Sequence, residues 1–463
     1  MDPVILDSML RIPEHMLTSK QGRSIEKALT LSLPPTTQHG AQRNPPPLRL
    51  WKREDGYLVI PRNWPPAKDF ISHDMLDDRR SRGFPIDLKF LGTFRKGQAP
   101  FRQTFLESLH EDGYGQIGQA GCGFGKTVLG TSFIAELGLT TLIVVHKEKL
   151  MKQFVKACKQ FLGVTPGIVQ GSSCDYKGKE ICIAMAQSLY QRDYGQDFYN
   201  YWGLTITDET HRFSAPTFAA AIEKVPSKYR IGLTATPRRG DRLEEAFFWH
   251  IGGIGAVGHG EFLDCSAYLM EWVPSIDERA CLWRGKPNLA RMITALSREE
   301  ARTAMICRLI VDATRKGRRS IVLSDRVAHL EDFCTRLQRI FKNAGEPYTV
   351  GNYGTGKTKK AIAARDIAEL CTVTCGTFPM LMEGADIPDK DTIFLTTPKA
   401  DVEQAVGRIR RLYEGKKQPF IIDIDDQLFF LPAMTNKRLR FYEAPGLDKG
   451  PWPVKFCGYK VTS

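Results

Sequence analysis

Short apolar runs alternate with amphipathic runs of helical period along most of this 463-residue chain. TTLIVVH at 140–146 predicts a buried strand, and KLMKQFVKACKQFL at 149–162 repeats apolar residues at helical spacing. Further strands are predicted at 180–186 and 204–209, and a helix at 128–137. Strands that alternate with helices in this way pair in parallel, and the helices cover both faces of the sheet. The pattern therefore predicts an α/β domain.

The same alternation returns in the second half of the chain. Helices are predicted at 299–314 and 327–341, and strands at 319–325, 392–397 and 419–425. Because a chain of this length exceeds what one hydrophobic core usually organises, two α/β domains in series are predicted. The stretch around 255–275 is expected to lie between them.

The first 95 residues are predicted to form a small, partly β accessory region ahead of these domains. RLWKREDGYLVI at 49–60 predicts a β-hairpin, because two short alternating runs flank the turn dipeptide Asp55–Gly56. The charged stretch DDRRSRG at 77–83 is predicted to be a loop.

The chain carries 65 Lys and Arg residues against 52 Asp and Glu residues, a formal net charge of +13. A surplus of this size favours a polyanionic partner, nucleic acid above all, and a merely basic soluble enzyme is the alternative. Eleven cysteines without a Cys-x-x-Cys pair favour a reduced cytosol over a disulfide framework or a structural zinc site. The N-terminus is a poor signal peptide, and no apolar run reaches the ~20 residues that cross a bilayer. A soluble, cytoplasmic protein is predicted.

Two segments are candidate phosphate loops. GNYGTGKT at 351–358 matches G-x-x-x-x-G-K-[ST] at every position, whereas AGCGFGKT at 120–127 has Ala120 in place of the first glycine. AGCGFGKT follows a strand-like run and precedes a helix predicted to begin at Lys126. Backbone N–H groups of such a loop cradle phosphates, a lysine neutralises the outer ones and a hydroxyl holds Mg²⁺. The residues predicted to do so are Gly121, Gly123, Gly125, Lys126 and Thr127. A plain glycine-rich turn is the alternative.

DETH at 208–211 ends an apolar strand, so its carboxylates are predicted to project from the carboxyl edge of the sheet, where open α/β sheets bind ligands. Asp208 is placed to hold Mg²⁺ through water, and Glu209 to orient and deprotonate the attacking water. His211 is a candidate for coupling nucleotide state to the other domain. A solvated acidic loop is the alternative. LTATP at 233–237 adds two hydroxyls, Thr234 and Thr236, which are candidates for the same coupling.

QAVGRIRR at 404–411 places Gln404, Arg408 and Arg411 at i, i+4 and i+7, hence on one face of a predicted helix. An arginine brought from another domain stabilises the charge that develops on a transferring phosphoryl group. The alternative is a basic surface helix.

Five motifs in this order, AGCGFGKT, DETH, TATP, EGADIP at 383–388 and QAVGRIRR, resemble the DExH-type superfamily 2 helicases, over about 98–430. In that family, alanine is the residue expected at position 120, the first of the phosphate loop. The resemblance implies two RecA-like domains, at 96–262 and 263–445, with an accessory region at 1–95 and a tail at 446–463. VIPRNWPP, HIGGIG and DIDDQ, at 59–66, 250–255 and 423–427, narrow the resemblance to the UvsW-type phage helicases that remodel branched DNA.

The resemblance also assigns roles to further residues. It implies that Gln103 contacts adenine and that Gly384 and Asp386 meet the nucleotide from the second domain. Arg408 and Arg411 would then be arginine fingers, with Gln404 beside them. Nucleic-acid contacts are implied, by family position, for Gln187, Ser188, Arg326 and Thr377. HKEKL at 146–150 lacks the proline usual in a motif that touches nucleic acid, a departure from the family pattern.

The resemblance implies an ATP- and Mg²⁺-dependent DNA helicase whose nucleotide binds between the two domains. Lys126, Asp208 and Glu209 would come from one wall, and Arg408 and Arg411 from the other. Single-stranded and branched DNA are the expected partners, in phage replication, recombination or repair within the host cytoplasm, for a monomeric or weakly associating protein. The alternatives are an RNA helicase, a double-strand translocase that never separates strands, an ATP-gated nucleic-acid clamp and a P-loop kinase.

The family pattern also decides between the two loops. GNYGTGKT has no DE-x-H or TATP near it, and its family position lies in a connecting region where no nucleotide binds. AGCGFGKT is therefore the predicted ATP site. A lesser hypothesis is that Lys357, Lys359 and Lys360 touch nucleic-acid phosphates, with simple solvated lysines as the alternative.

Overall fold

The computed structural model describes residues 2–33, 36–38, 41–43, 45–71, 76–111, 114–121, 123–209, 215–235, 243–258, 262–354, 359–385, 387–444 and 452–458. The chain divides into two compact units, Met1–Gly260 and Glu261–Ser463. Within the described ranges, no helix is both long enough and apolar enough to cross a membrane. Each unit contains one large parallel sheet. The predicted fold class, α/β with two RecA-like domains, is confirmed.

The N-terminal region is a small sheet with helical connections. Its elements are β1 (Val4–Leu6), β2 (Leu10–Pro13), α1 (Ser19–Ala28), β3 (Thr30–Leu31), β4 (Thr36–Gln38), β5 (Ala41–Arg43), β6 (Leu48–Arg49), β7 (Lys52–Glu54), β8 (Tyr57–Ile60), α2 (Lys68–Ile71) and β9 (Leu76–Asp78). The five-stranded sheet has the order β7-β8-β2-β1-β9, and β3 pairs with β6 and β4 with β5 in two-stranded ribbons.

The predicted hairpin at 49–60 is confirmed. Glu54 pairs with Tyr57, and Asp55 and Gly56 between them have φ of 51° and 81°. Such positive φ values are what a two-residue hairpin turn requires, and Asp and Gly tolerate them. The loop predicted at 77–83 is wrong at its start, because Asp77 and Asp78 belong to β9 and pair in parallel with β1.

The first parallel sheet has the strand order β13-β12-β14-β11-β15-β16-β10-β17, with β13 antiparallel to its neighbour at one edge. Its strands are β10 (Gly115–Ala120), β11 (Thr141–Val145), β12 (Gly167–Gln170), β13 (Ser173–Cys174), β14 (Ile181–Met185), β15 (Leu204–Asp208), β16 (Tyr229–Thr234) and β17 (Ile254–Gly258). The helices are α3 (Gln98–Glu111), α4 (Lys126–Leu137), α5 (Glu148–Leu162), α6 (Ala186–Gln191), α7 (Gln196–Tyr199), α8 (Ala215–Ile222) and α9 (Glu245–Ile251).

Apolar cores lie on both faces of this sheet. On one face Phe133 of α4 and Phe154 of α5 are fully buried against Leu233 and neighbouring strand residues. On the other face Trp202 and Phe218 are buried in a second cluster. Each such side chain contributes about 1.5–3 kcal/mol by leaving water, so helices on both faces hold the strand edge that carries the candidate site.

The N-terminal region is fixed to the first sheet by two buried arginines. The Arg62 guanidinium donates to the carbonyls of Ser227 and Lys228, at 2.8 and 3.0 Å. Arg230 of β16 donates to the carbonyl of Ser8 at 2.8 Å. Burial lowers the pKa of Arg230 to about 9. Because backbone carbonyls accept from these guanidinium groups, separating the N-terminal region from the sheet would leave the guanidinium donors and the carbonyl acceptors without hydrogen-bond partners.

The second unit holds a parallel sheet with the order β22-β23-β21-β24-β25-β18-β26. Its elements are β18 (Ser266–Trp272), β19 (Leu282–Trp283), β20 (Lys286–Pro287), α10 (Leu289–Arg298), α11 (Glu300–Arg315), β21 (Ser320–Leu323), α12 (Val327–Asn343), β22 (Val350–Tyr353), α13 (Lys359–Leu370), β23 (Val373–Gly376), α14 (Phe378–Gly384), β24 (Thr392–Leu395), α15 (Glu403–Ile409), β25 (Phe420–Asp426), α16 (Leu431–Glu443) and β26 (Val454–Gly458).

The stretch 255–275, expected between the domains, instead contributes a strand to each sheet. Ile254–Gly258 is β17 of the first sheet, and Ser266–Trp272 is β18, deep in the second. The division between the units falls at Gly260 and Glu261. Residues predicted as a C-terminal tail also join the second sheet, where β26 pairs in parallel with β18.

Candidate nucleotide-binding site

Three neighbouring strands of the first sheet carry polar residues at or next to their carboxyl ends. In the parallel pairing, Gln119 of β10 lies opposite Thr234 of β16, and Leu233 lies opposite Asp208 of β15. The carboxyl ends of β10, β15 and β16 therefore meet at the same edge, where open α/β sheets bind ligands. This register brings AGCGFGKT, the start of DETH and the start of TATP together.

The glycine loop leads directly into α4, which begins at Lys126 as predicted. Gly125 is the residue before the helix and has φ of 90°. A Cβ there would also lie 2.3 Å from Nε2 of Gln98, so both the backbone conformation and the space require glycine. Gly125 has no side chain to cap the helix, which leaves the first N–H groups of α4 to an anionic ligand. Gly121 and Gly123 lie in the same loop, and Cys122 lies outside the described residues.

Lys126 joins the loop to the acidic strand end. Its side chain is 8% exposed, and Nζ lies 3.2 Å from the carbonyl oxygen of Ala120 and 3.2 Å from Oε1 of Glu209. Glu209 has φ of 51°, a left-handed conformation that is unfavourable for an L-residue by about 1–2 kcal/mol. Strain of this kind clusters at functional sites. The ion pair identifies Lys126 and Glu209 as members of one site.

Asp208 is the most perturbed acid of this edge. It is 3% exposed, and its Oδ1 has no hydrogen-bond partner among the residues that the structure describes. Burial and, after it, the charge of Glu209 raise the pKa of Asp208 to about 7, against the opposing charge of Lys126. An unsatisfied, buried carboxylate oxygen needs a cation or a donor.

These residues fit Mg²⁺. Mg²⁺ takes hard oxygen ligands, and it usually uses one or two side chains plus phosphates and water rather than a full protein cage. Oδ1 of Asp208 is such an oxygen, and the hydroxyl of Thr127 lies in the first turn of α4, where Nε2 of Gln153 donates to it at 3.0 Å. Within the described ranges, no cluster of three or more His, Cys, Asp or Glu side chains could hold a metal ion.

Gln98 was not among the residues predicted from the sequence. This residue begins α3, is 2% exposed, donates from Nε2 to the carbonyl of Phe124 at 2.5 Å and accepts from the N–H of Arg95 at 2.7 Å. It therefore holds the glycine loop. Gln103, predicted to contact adenine, is exposed on α3 and donates to Glu107 at 3.0 Å. The sequence feature that could have identified Gln98 is its position at the start of α3, the helix that precedes β10 and the glycine loop.

The predicted helical face in QAVGRIRR is wrong for one residue. Helix α15 ends at Ile409, so Gln404 and Arg408 lie on it, whereas Arg411 lies beyond its end and bridges to Phe262. Arg408 is 8% exposed and donates to the carbonyl of Ala385, within EGADIP, at 2.5 Å. The roles of Gln404, Arg408 and Arg411 as catalytic groups stay predictions.

Several predicted residues fall at the limits of what the structure describes. Thr234 ends β16 and is buried. Gly384 is the last residue of α14. Outside the described residues lie His211, Thr236, Asp386 and Lys357.

The four residues predicted to contact nucleic acid differ in how far they are free to do so. The hydroxyl of Ser188 is buried and accepts from the N–H of Gly171 at 2.9 Å, whereas Gln187 beside it is exposed. Arg326 donates to two oxygen atoms of α10. Thr377 precedes α14 and is half-buried.

The second glycine motif, GNYGTGKT, has a different setting. Gly351 lies inside β22, where a Cβ would be 2.6 Å from the Cα of Ala368 on α13. A phosphate loop begins after its strand, as AGCGFGKT does after β10. Residues 355–358 lie outside the described ranges. The packing of Gly351 supports a structural role for this glycine.

Two of the three motifs behind the narrower resemblance contact each other. Nδ2 of Asn63, from VIPRNWPP, donates to the carbonyl of Ile251, from HIGGIG, at 2.7 Å. His250 is fully buried, its carbonyl accepts from Arg230 at 2.9 Å, and Phe247 beside it is also buried, so FFWH at 247–250 packs in the core. These motifs therefore form the joint between the N-terminal region and the first sheet.

Comparison with known proteins agrees with this site. Residues 92–239 match the family of the type III restriction enzyme res subunit, a stretch that includes AGCGFGKT, DETH and TATP. A protein of Acanthamoeba polyphaga mimivirus named as an ATP-dependent RNA helicase is 27% identical over 387 residues, 81% of this chain and 72% of that protein. A DNA 3'-5' translocase of Sulfurisphaera tokodaii is 26% identical over 213 residues, 46% of this chain and 42% of its own. The predicted relation to the superfamily 2 helicases is confirmed.

Among solved structures, a fragment of an HsdR subunit of a type I restriction enzyme from Vibrio vulnificus aligns with 80% of this chain and 69% of its own, with a TM-score of 0.55 and 18% identity. That likeness shows the fold. The structure of T4 UvsW aligns with 99% of this chain and 100% of its own, at a TM-score of 0.41 and 12% identity. Similarity at that level is too low to carry a conclusion, so the narrower relation to UvsW-type helicases stays a prediction.

Proposed function

We propose that this relative of the superfamily 2 helicases is an ATP-driven motor that moves along nucleic acid, with DNA as its polymer. The observation that carries the proposal is the cluster at the edge of the first sheet. There Lys126 pairs with Glu209, Asp208 is buried with an unsatisfied oxygen, and an uncapped helix begins after Gly125. A cation site, a phosphate-binding helix end and a general base are the parts that hydrolysis of ATP requires.

The ion pair between Lys126 and Glu209 suggests how binding of a triphosphate prepares the base. The Lys126 ammonium is 3.2 Å from the Glu209 carboxylate. A triphosphate at the start of α4 would attract the ammonium more strongly, because it carries more negative charge than one carboxylate. The Glu209 carboxylate would then be released to accept a proton from the attacking water. Asp208 and Thr127 would hold Mg²⁺, which neutralises phosphate charge when it is bound.

The choice of DNA and of branched substrates goes further than the site itself. The net charge of +13 supports a nucleic-acid partner without distinguishing DNA from RNA. Relatives are named for both, an RNA helicase and a DNA translocase. Branched DNA is proposed because VIPRNWPP, HIGGIG and DIDDQ resemble the UvsW-type helicases, and Gln404, Arg408 and Arg411 are proposed to stabilise the transferring phosphoryl group.

Hydrolysis of ATP with and without nucleic acid tests the proposal. The wild-type rate should rise with single-stranded or forked DNA more than with RNA of the same length. Lys126→Ala should abolish turnover, and Glu209→Gln should retain ATP binding while turnover falls by about 10²- to 10⁴-fold. Lys152→Ala, at an exposed surface ion pair of α5, is the matched control and should behave as wild type. A wild-type rate that no nucleic acid raises would contradict the proposal, as would turnover in Lys126→Ala.

A double-strand translocase without strand separation is the second candidate. The match of residues 92–239 to a restriction-enzyme family favours it. Displacement of a third strand from a triplex reports translocation, whereas release of one strand from a fork or a four-way junction reports unwinding. Triplex displacement without strand release would select this candidate over a helicase.

A further inference from the structure

We infer that the short hairpin of β19 and β20 in the second unit is a contact site for single-stranded DNA, in which Trp283 stacks on a base. This inference rests on the proposed function, because it names a site at which the polymer would be held. Four features support it: the exposure of Trp283, the charge around it, the shape of the turn and the packing beneath the hairpin.

Trp283 is an exposed aromatic residue on a small, isolated ribbon. Its side chain is 54% exposed, and it pairs with Lys286 across the two-residue turn Arg284–Gly285. The Arg291 guanidinium lies over the ring, 4.9 Å from its centroid. A tryptophan that served only to fill a core would be buried. One open face flanked by a cation is instead the arrangement of a base-stacking platform.

The hairpin and α10 carry only basic charges, between the acidic pairs Asp277–Glu278 and Glu299–Glu300. From 279 to 298 the sequence has five basic residues and no acidic residue. All five are exposed, and none of them forms an ion pair within the part of the chain that the structure describes. The five are Arg279, Arg284, Lys286, Arg291 and Arg298. A polyanion that offers flat rings matches both the charge and the aromatic face, and single-stranded DNA is such a polymer.

The first position of the turn is occupied by Arg284, a residue type that the turn geometry does not favour. Arg284 and Gly285 have φ of 51° and 74°, nearly the same as Asp55 and Gly56, at 51° and 81°. At such a first position Asn, Asp and Gly are favoured, because other residues are strained in the left-handed region. The N-terminal hairpin follows that preference, and the hairpin of β19 and β20 does not. The strain at Arg284 fits a cation that is presented to a ligand.

A buried apolar cluster lies next to the hairpin. Cys281, Met292 and Leu296 are fully buried in a small cluster with Leu428 and Leu431. This cluster anchors the residue before β19 and the helix α10 that follows β20.

Arg326, predicted from the sequence as a nucleic-acid contact, contacts α10, the helix that follows the hairpin. It donates to the carbonyl of Ala290 at 2.6 Å and to the hydroxyl of Thr294 at 3.0 Å, both on α10. Its guanidinium therefore positions the helix that carries Arg291, beside Trp283.

Binding of the full chain to fluorescent oligomers tests the inference. Wild type should bind a 20-nucleotide oligo-dT about 5-fold or more tightly than an abasic oligomer of equal length, because stacking on one base is worth roughly 5- to 150-fold in Kd. Trp283→Ala should weaken oligo-dT binding and reduce that preference for bases, and Trp283→Phe should restore much of it. Blunt duplex DNA, whose bases are already stacked, should bind both proteins equally.

Arg284→Asn is the matched variant for charge, because Asn keeps the turn. It should lower the salt dependence of oligo-dT binding, the slope of log K against log salt, by about 0.7 for one lost phosphate contact. Thermal unfolding of the Trp283 variants should match wild type, since the side chain is exposed. Arg284→Asn should unfold at the same temperature or slightly above it, because Asn relieves the left-handed strain.

Two results distinguish this inference from the proposed function. DNA-stimulated ATP hydrolysis in wild type, together with unchanged oligo-dT affinity and unchanged base preference in Trp283→Ala, overturns the stacking site alone. Absence of nucleic-acid-stimulated hydrolysis in wild type overturns the proposed function, and this inference with it. Dependence on Trp283 for oligo-U but not for oligo-dT overturns the commitment to DNA.

Discussion

Replacing Asp208 with asparagine should make the stability of the metal-free protein less sensitive to rising pH, although the same change should prevent ATP hydrolysis. The carboxyl is 3% exposed, its Oδ1 has no partner among the described residues, and burial raises its pKa from 3.8 to about 7. The folded protein therefore holds a proton that the unfolded chain releases between pH 4 and 7. Because the folded state binds more protons in that range, this carboxyl costs no stability at low pH and destabilises the folded state increasingly as the pH rises towards 7.

The difference between 3.8 and about 7 corresponds to about 4 kcal/mol of folding free energy at alkaline pH. Roughly 2–3 kcal/mol of this is lost between pH 5 and pH 8. For a domain of 150–250 residues that loss lowers the unfolding temperature by roughly 5–10 °C. An asparagine side chain does not titrate in this range, so the Asp208→Asn variant should lack this part of the pH dependence, whatever the buried amide itself costs.

Thermal unfolding in EDTA, at pH 5 and pH 8, measures the effect. The unfolding temperature of Asp208→Asn minus that of wild type should be higher at pH 8 than at pH 5. Asp175→Asn, at an exposed acid of the same unit, is the control and should leave that difference near zero. An equal pH dependence in wild type and Asp208→Asn would refute the reasoning, because Asp208 would then titrate normally.

Other predictions concern buried polar contacts. Gln98→Ala leaves the carbonyl of Phe124 and the N–H of Arg95 unpaired, so it should destabilise the loop by about 1–3 kcal/mol and raise the KM for ATP. Lys152→Ala, at an exposed ion pair of α5, should match wild type. Arg302→Met should lower the free energy of unfolding, measured by heat or urea, by about 3–5 kcal/mol. The reason is that the buried carboxylate of Asp426 loses the cation with which it pairs. Adding Asp426→Leu to Arg302→Met should recover most of that loss, and no recovery would contradict this account.

Local features of the sequence determined much of the fold. The period of the apolar residues predicted both parallel sheets. Strands that are buried on both faces are short apolar runs, and such runs can be recognised from the local sequence alone. Gly125 and the Asp55–Gly56 turn were likewise recognisable, because positive φ restricts the residue type at the position itself. The order of the five motifs then predicted which acids and which lysine would meet.

Contacts between distant residues were decided only by the tertiary structure. The pairing of Gln98 with the loop and the docking of Arg62 on Ser227 depend on how elements pack. The end of α15 before Arg411 is set by the bridge to Phe262. The raised pKa of Asp208 arises from burial and a neighbouring charge. Such effects depend on the surroundings of a side chain, which the folded chain supplies and its local sequence does not.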